Sequence, residues 1–150
     1  MGQGAPVIVG LISCYREGPL LLGAAHSLLP ACDLVGVFEG PIAGMELPDA
    51  PASPLEDLPE GCIRPTTLPR PRQGRYTDPA HKRNTAFRWA KGKGAEWIVW
   101  LDGDEVLLWG EYLPDMIHRA EAETAVGGFP LRVVELDGSV GYNYGRVVKV

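Results

Sequence analysis

The sequence has few residues with which to cross-link, span a bilayer or grip a polyanion. Cysteine occurs three times in 150 residues, at Cys14, Cys32 and Cys62. An odd number without paired spacing builds neither a disulfide framework nor a zinc site, and it fits free thiols in a reducing compartment. The longest apolar runs, Ala5–Ile12 and Trp97–Leu101, fall far short of the ~20 residues that a bilayer span needs. No membrane span is therefore expected. Basic residues are outnumbered, 14 against 19 acidic, for a net charge of −5, which argues against a nucleic-acid partner. The amino terminus lacks the basic segment of a signal peptide. Pro6 stands where a myristoylation signal wants Ser or Thr, so the cytoplasm is the expected location. What is present is 45% hydrophobic and 22% charged residues, a composition that buries one core. Residues 1–150 are expected to form a single domain.

The charge is unevenly distributed. Asp33 to Glu60 holds seven acidic residues and no Lys or Arg, whereas Arg64 to Lys93 holds nine basic residues and one acidic, Asp78. Such a basic block is either a solvated face or the contact for an anionic ligand. Val7–Ile12 is continuous and β-branched, as in a strand buried on both faces. Gly18-Pro19 opens a helix in which Leu20, Leu21, Ala24, Ala25, Leu28 and Leu29 recur until Pro30 stops it. Leu34–Phe38 reads as a second strand. Eight prolines between Pro41 and Pro71 exclude a helix and make residues 41–79 a long Pro/Arg-rich loop, with Ile63–Leu68 a short strand inside it. Asp78-Pro79 is an N-cap and first-turn proline for a helix to about Lys91, with Ala86, Phe87 and Ala90 inward. Trp97–Leu101 is a central strand. Pro114–Glu123 is a helix with Met116, Ile117 and Ala120 inward, and Val126–Leu136 and Val140–Val150 are strands, the first interrupted at Pro130. Alternating strands and helices predict an α/β domain with a mainly parallel sheet and flanking helices. Val147–Val150, a strand at the end of the sequence, is expected to offer an unpaired edge and weak self-association into a homo-oligomer.

The chemistry concentrates in Asp102-Gly103-Asp104-Glu105, three carboxylates delivered to the carboxyl end of a buried strand. That is the edge where open α/β sheets bind ligands. Clustered carboxylates repel unless a cation or hydrogen-bond donors neutralise them, and Mg²⁺ or Mn²⁺ commonly takes one or two carboxylates plus substrate phosphates. The plain alternative is an acidic β-turn. An EF-hand is excluded, because Leu107 stands where its glycine belongs and Leu113 where its bidentate Glu belongs. Gly92-Lys93-Gly94 lacks phosphate-loop spacing. Cys14 is read as a small buried thiol, and His26 and His118 as structural or solvent-facing.

Lys82-Arg83-Asn84-Thr85-Ala86, followed by Trp97-Ile-Val-Trp-Leu-Asp-Gly-Asp-Glu105, resembles the family 2 glycosyltransferases of the GT-A fold. Their pattern is a basic residue and Asn opening a helix, then a Trp-led strand running into Asp-x-Asp. The first strand, ending in Ser13-Cys14-Tyr15-Arg16-Glu17, matches in outline, as does a second strand ending in Glu39. Arg16 stands where the family usually has Asn, and Glu39 where it usually has Asp. The resemblance covers roughly residues 7–39 and 80–136.

What it implies is a transferase that binds a nucleotide-diphosphate sugar and passes the sugar to an acceptor hydroxyl. By resemblance Tyr15 sits by the base, Glu39 accepts from base or ribose, Asp102 lies near the ribose, and Asp104, with Asp102, holds a divalent metal, Mn²⁺ or Mg²⁺. Basic residues of the Arg70–Arg88 region, Arg83 among them, would hold phosphates. Family members usually continue through an acceptor-binding segment with a catalytic carboxylate. The chain is thus expected to be the nucleotide-binding half with an incomplete acceptor part, binding a donor better than it transfers sugar; Glu135 and Asp137 are its only late carboxylates. The alternatives are a sugar-phosphate nucleotidyltransferase and a catalytically silent nucleotide-sugar-binding module.

Overall fold

Strands buried on both faces must alternate side chains between two layers, and β1 (Ile8–Cys14) and β4 (Trp97–Asp102) do so in the computed structural model, which describes residues 4–65, 74–123, 127–134 and 140–150. Ile8 and Ile12 of β1, with Trp97, Val99 and Leu101 of β4, join one core. Val9 and Leu11, with Ile98 and Trp100, join the other. The remaining strands are β2 (Leu34–Glu39), β3 (Cys62–Ile63), β5 (Gly128–Val134) and β6 (Val140–Lys149). The helices are α1 (Leu20–Leu28), α2 (Pro79–Gly92) and α3 (Leu113–Glu121). Leu21, Ala24, Ala25 and Leu28 of α1 and Leu113 and Ile117 of α3 cover the first face; Ala86 and Ala90 of α2 cover the second.

The six strands form one sheet in the order β3-β2-β1-β4-β6-β5. The first four are parallel, but β6 is antiparallel to both β4 and β5. The α/β layering is as read from the sequence, whereas the sheet is mixed. The reason is connectivity: β5 ends at Val134 and β6 begins at Val140, a connection too short for the crossover of a dozen or more residues that parallel strands need. The end of β6 is not an edge either. Val147, Val148 and Lys149 register with Val99, Ile98 and Trp97, and β5 covers the other side. The expected unpaired edge at Val147–Val150 is therefore absent, and with it the basis for self-association there.

Asp78 caps α2 by accepting from the His81 amide at 2.8 Å, and Pro79 fills the first turn. On this helix Lys82 and Thr85 are buried beside Ala86 and Ala90, and Phe87 is half-buried. Met116 of α3 is exposed, contrary to the sequence reading; Leu113 and Ile117, four residues apart, take the buried stripe. The interruption at Pro130 is a register shift between Phe129 and Leu131. Within the long loop the strand is only Cys62–Ile63, and Leu68 lies outside the described residues. The loop closes on itself where Ala43 N donates to Tyr76 O at 2.8 Å and Tyr76 N to Pro41 O at 2.8 Å.

Gly36 of β2 marks the tightest approach of α2. A Cβ there would lie 2.4 Å from Trp89 Cζ3 and 3.0 Å from Phe38 Cε2. Trp89 is already held edge-on to Phe38, with centroids 5.6 Å apart. Overpacking of this kind costs about 1–3 kcal/mol. Gly36→Ala should lower unfolding stability by that amount in urea denaturation, and a second change, Trp89→Phe, should recover part of it. Equal stability of Gly36→Ala and wild type would refute this packing account.

Candidate functional site

Parallel register puts the carboxyl ends of β2, β1 and β4 side by side. Glu39 pairs with Cys14, and Ser13 with Asp102. The segment Tyr15–Gly18 leaves β1 at this edge through two left-handed residues, Arg16 at φ 55° and Gly18 at φ 59°. A non-glycine residue in that region is uncommon and persists where surrounding contacts hold it. Here they are explicit. Arg16 N donates to Glu39 Oε1 at 3.1 Å, Arg16 Nε to Ala50 O at 2.6 Å, and Glu17 N to Ser53 Oγ at 3.1 Å.

Glu39 organises this wall. Its Oε2 accepts from Cys14 Sγ at 3.0 Å and from Ser53 Oγ at 3.1 Å. With Arg16 N on Oε1, three protein donors already occupy a carboxylate that offers about four acceptor positions. Burial, with the adjoining Glu39 charge, pushes the Cys14 thiol far up, so it is a neutral donor. Ser53 and Ala50 bring the long loop against the edge of the sheet, where they form a wall of the site.

Lys82 is the cation at the base of this wall. It is 3% exposed, and its Nζ donates to Cys14 O and Gly40 O, both at 2.8 Å. It thereby ties β1, β2 and α2 together, with the Tyr76 ring 5.4 Å away. Burial lowers its pKa, while Cys14, Glu39, Glu17 and Asp102 pull it back up. The sequence reading counted Lys82 in the basic block, either a solvated face or an anion contact, and did not place it inside the fold. The signal that places it inward is its spacing from Thr85, Ala86 and Ala90, on one helix face.

At β4 the chain turns so tightly that a Cβ on Gly103 would lie 2.6 Å from Glu17 Cγ and 2.7 Å from Cys14 Cβ; only glycine allows that approach. Glu105 Oε2 accepts from Asp102 N at 2.8 Å, closing the turn. Arg146 of β6, a residue absent from the sequence reading, donates from Nη2 to Asp102 Oδ2 at 3.0 Å and to Glu105 Oε1 at 2.8 Å. Burial raises the Glu105 carboxyl, and Arg146 opposes the rise. Asp104 is exposed.

Of the sequence-predicted residues, Tyr15, Glu39, Asp102 and Asp104 share this edge. Arg83 does not join it in the same way: its guanidinium lies 5.8 Å over the Trp100 ring, two residues before Asp102. Arg70, Arg72, Glu135 and Asp137 lie outside the described residues. For a hard divalent cation, Asp104 fits as a ligand, because it is solvent-facing and makes no hydrogen bond or ion pair among the described residues. Asp102 fits less well, since Arg146 holds one of its oxygens. No cluster of three or more His, Cys, Asp or Glu side chains that could hold a metal occurs among the described residues.

Across Gly103, Glu17 feels Asp104. Burial raises the Glu17 carboxyl above its ordinary 4.5, the Tyr15 amide opposes this, and the Asp104 charge adds to the rise. A carboxyl raised in the folded state contributes stability that is complete below its unfolded pKa and is lost as pH rises through the folded one. Asp104→Asn should therefore lower the Glu17 pKa and shrink the stability lost as pH rises past 4.5. Carboxyl ¹³C titration measures the first effect, and an unmoved Glu17 would show that Asp104 does not face it.

No membrane-spanning helix occurs among the described residues: none is long and apolar enough. Comparison with family models, curated proteins and solved structures finds no match to the chain.

Proposed function

We propose that the chain binds a nucleotide-diphosphate sugar along the carboxyl edge of β1, β2 and β4 and transfers the sugar to an acceptor hydroxyl, as a family 2-like glycosyltransferase of GT-A type. The observation that carries this reading is the placement of Asp102-Gly103-Asp104-Glu105. The turn ends a buried strand in one row with Tyr15 and Glu39, and Asp104 is left open to solvent.

Each residue then has a physical task. Tyr15 borders the base. Glu39 fixes the backbone that presents Tyr15, through its bond from Arg16 N. Asp102 keeps half of its side-chain surface exposed and meets the ribose. Asp104 is the protein's oxygen ligand for Mn²⁺ or Mg²⁺, the metal that offsets charge on the departing nucleoside diphosphate when bound. Arg83 draws phosphate from the α2 side. Deprotonation of the acceptor hydroxyl needs a general base, a role assigned to no residue here. A nucleotidyltransferase would instead want a free, glycine-rich basic loop after β1. The one cation there, Arg16, has its Nε committed to Ala50 O, which disfavours that alternative.

Titration calorimetry with UDP- and GDP-sugars, with and without Mn²⁺, tests the reading. Wild type should bind one class in a Mn²⁺-dependent way. Asp104→Asn should lose that dependence and, with it, roughly tenfold or more in affinity, while circular dichroism stays native. Sugar transfer by the same preparation separates an enzyme from a silent binding module. Metal-dependent binding that survives in Asp104→Asn would remove Asp104 from its role.

A further inference from the structure

The acidic turn already contains a cation, and it belongs to the chain. Arg146 is 9% exposed, and a guanidinium does not deprotonate in proteins, so its charge is permanent. One nitrogen, Nη2, serves both Asp102 Oδ2 at 3.0 Å and Glu105 Oε1 at 2.8 Å. Glu105 has its second oxygen on Asp102 N at 2.8 Å. Both Glu105 oxygens are therefore committed, as is one of Asp102. The third carboxylate of the turn, Asp104, is exposed and makes no hydrogen bond or ion pair among the described residues.

We infer that Arg146 is a positioning residue that withholds Asp102 and Glu105 from a divalent cation. The cation then meets a single protein carboxylate, Asp104, and is held firmly only when phosphate oxygens complete its shell. The inference deepens the functional reading above and rests on it for the identity of the phosphate ligand.

The physical logic is competition for charge. Three carboxylates within four residues would attract Mn²⁺ or Mg²⁺ by themselves, since these ions seek anionic oxygen ligands. Arg146 neutralises two of them in charge-assisted bonds within a partly buried pocket. Displacing it would leave a buried guanidinium without its partners, which is strongly unfavourable. A lone exposed carboxylate binds such ions weakly, because Mg²⁺ in particular gives up water reluctantly and normally adds substrate phosphates. Metal and nucleotide diphosphate should therefore bind together, and the turn should remain folded without metal.

The test measures Mn²⁺ alone, by electron paramagnetic resonance of the free ion, against the full chain. Arg146→Gln should bind Mn²⁺ roughly tenfold or more tightly than wild type, on the scale of groups that orient metal ligands. Adding Asp102→Asn to that variant should reverse much of the gain, and adding Glu105→Gln as well should return the affinity to the wild-type level. Arg146→Lys, which keeps the charge, should resemble wild type. Equal Mn²⁺ affinity in folded Arg146→Gln and wild type would overturn the inference.

Should Arg146→Gln fail to fold, Asp102→Asn in the otherwise unchanged chain, assayed with Mn²⁺ and inorganic pyrophosphate, decides instead. An unchanged affinity supports withholding of Asp102, and a loss matching that of Asp104→Asn overturns it. Neither metal arm uses a nucleotide, so absence of nucleotide-sugar binding would defeat the functional reading separately.

Discussion

Carboxylates gathered at one edge of a sheet repel each other, and this fold is arranged around the two buried cations that hold them. Glu17, Glu39, Asp102, Asp104 and Glu105 all lie where β1, β2 and β4 end. Lys82 enters from α2 and Arg146 from β6. They neutralise in different ways. Lys82 gives its hydrogen bonds to the Cys14 and Gly40 carbonyls and acts on Glu39, Glu17 and Asp102 through its charge. Arg146 contacts Asp102 and Glu105 directly. Asp104 is the acidic group of the turn left without such a contact, and it is exposed where Asp102 and Glu105 are half-buried. The pattern of satisfied and unsatisfied carboxylates, more than their number, marks where a cationic ligand would add most.

The long loop belongs to the same economy of charge. It begins just after Glu39 and returns to α2 at Tyr76, where the Ala43 and Tyr76 bonds close it. Between these points Ser53 donates to Glu39 and accepts from Glu17 N, and Ala50 O receives Arg16 Nε. A run rich in proline resists α-helix formation; it holds turns and the short 3-10 helix Leu55–Asp57 instead, which suits a strap lying across strand ends. The left-handed Arg16 is the cost of that wall, and its two engaged groups, N and Nε, with the neighbouring Glu17 N, are what hold it.

Much of this was legible in the sequence because it is local. β-branched continuity located β1, Pro19 and Pro30 bounded α1, and Asp78-Pro79 located the start of α2. Unbroken apolar character in Trp97–Leu101 announced a strand buried on both faces, and the acidic turn stood out at its end. What failed was long-range or directional. Met116 is apolar, but the stripe Leu113–Ile117 decides which way α3 faces, and Met116 falls outside it. Lys82 reads only as one charge of the basic block until its spacing from Ala86 and Ala90 is weighed. The satisfaction of Glu39 by Ser53 joins residues 14 positions apart through a loop without regular structure, which no periodicity encodes.

Arg146 was the least legible of all, and the antiparallel strand explains both its invisibility and its place. A parallel strand enters a sheet at the amino edge and reaches the ligand edge only with its last residues. β6 runs the other way. With Val147 opposite Val99 and Lys149 opposite Trp97, its residues before Val147 lie toward the carboxyl end of β4. A long side chain at position 146 can then reach Asp102, 44 residues earlier in the chain. Were β6 reversed about the Val147–Val99 pair, position 146 would lie opposite Ile98, on the side of Val99 away from the acidic turn. The departure of the sheet from a parallel arrangement is therefore what lets a side chain of this protein meet the turn that its first four strands assemble.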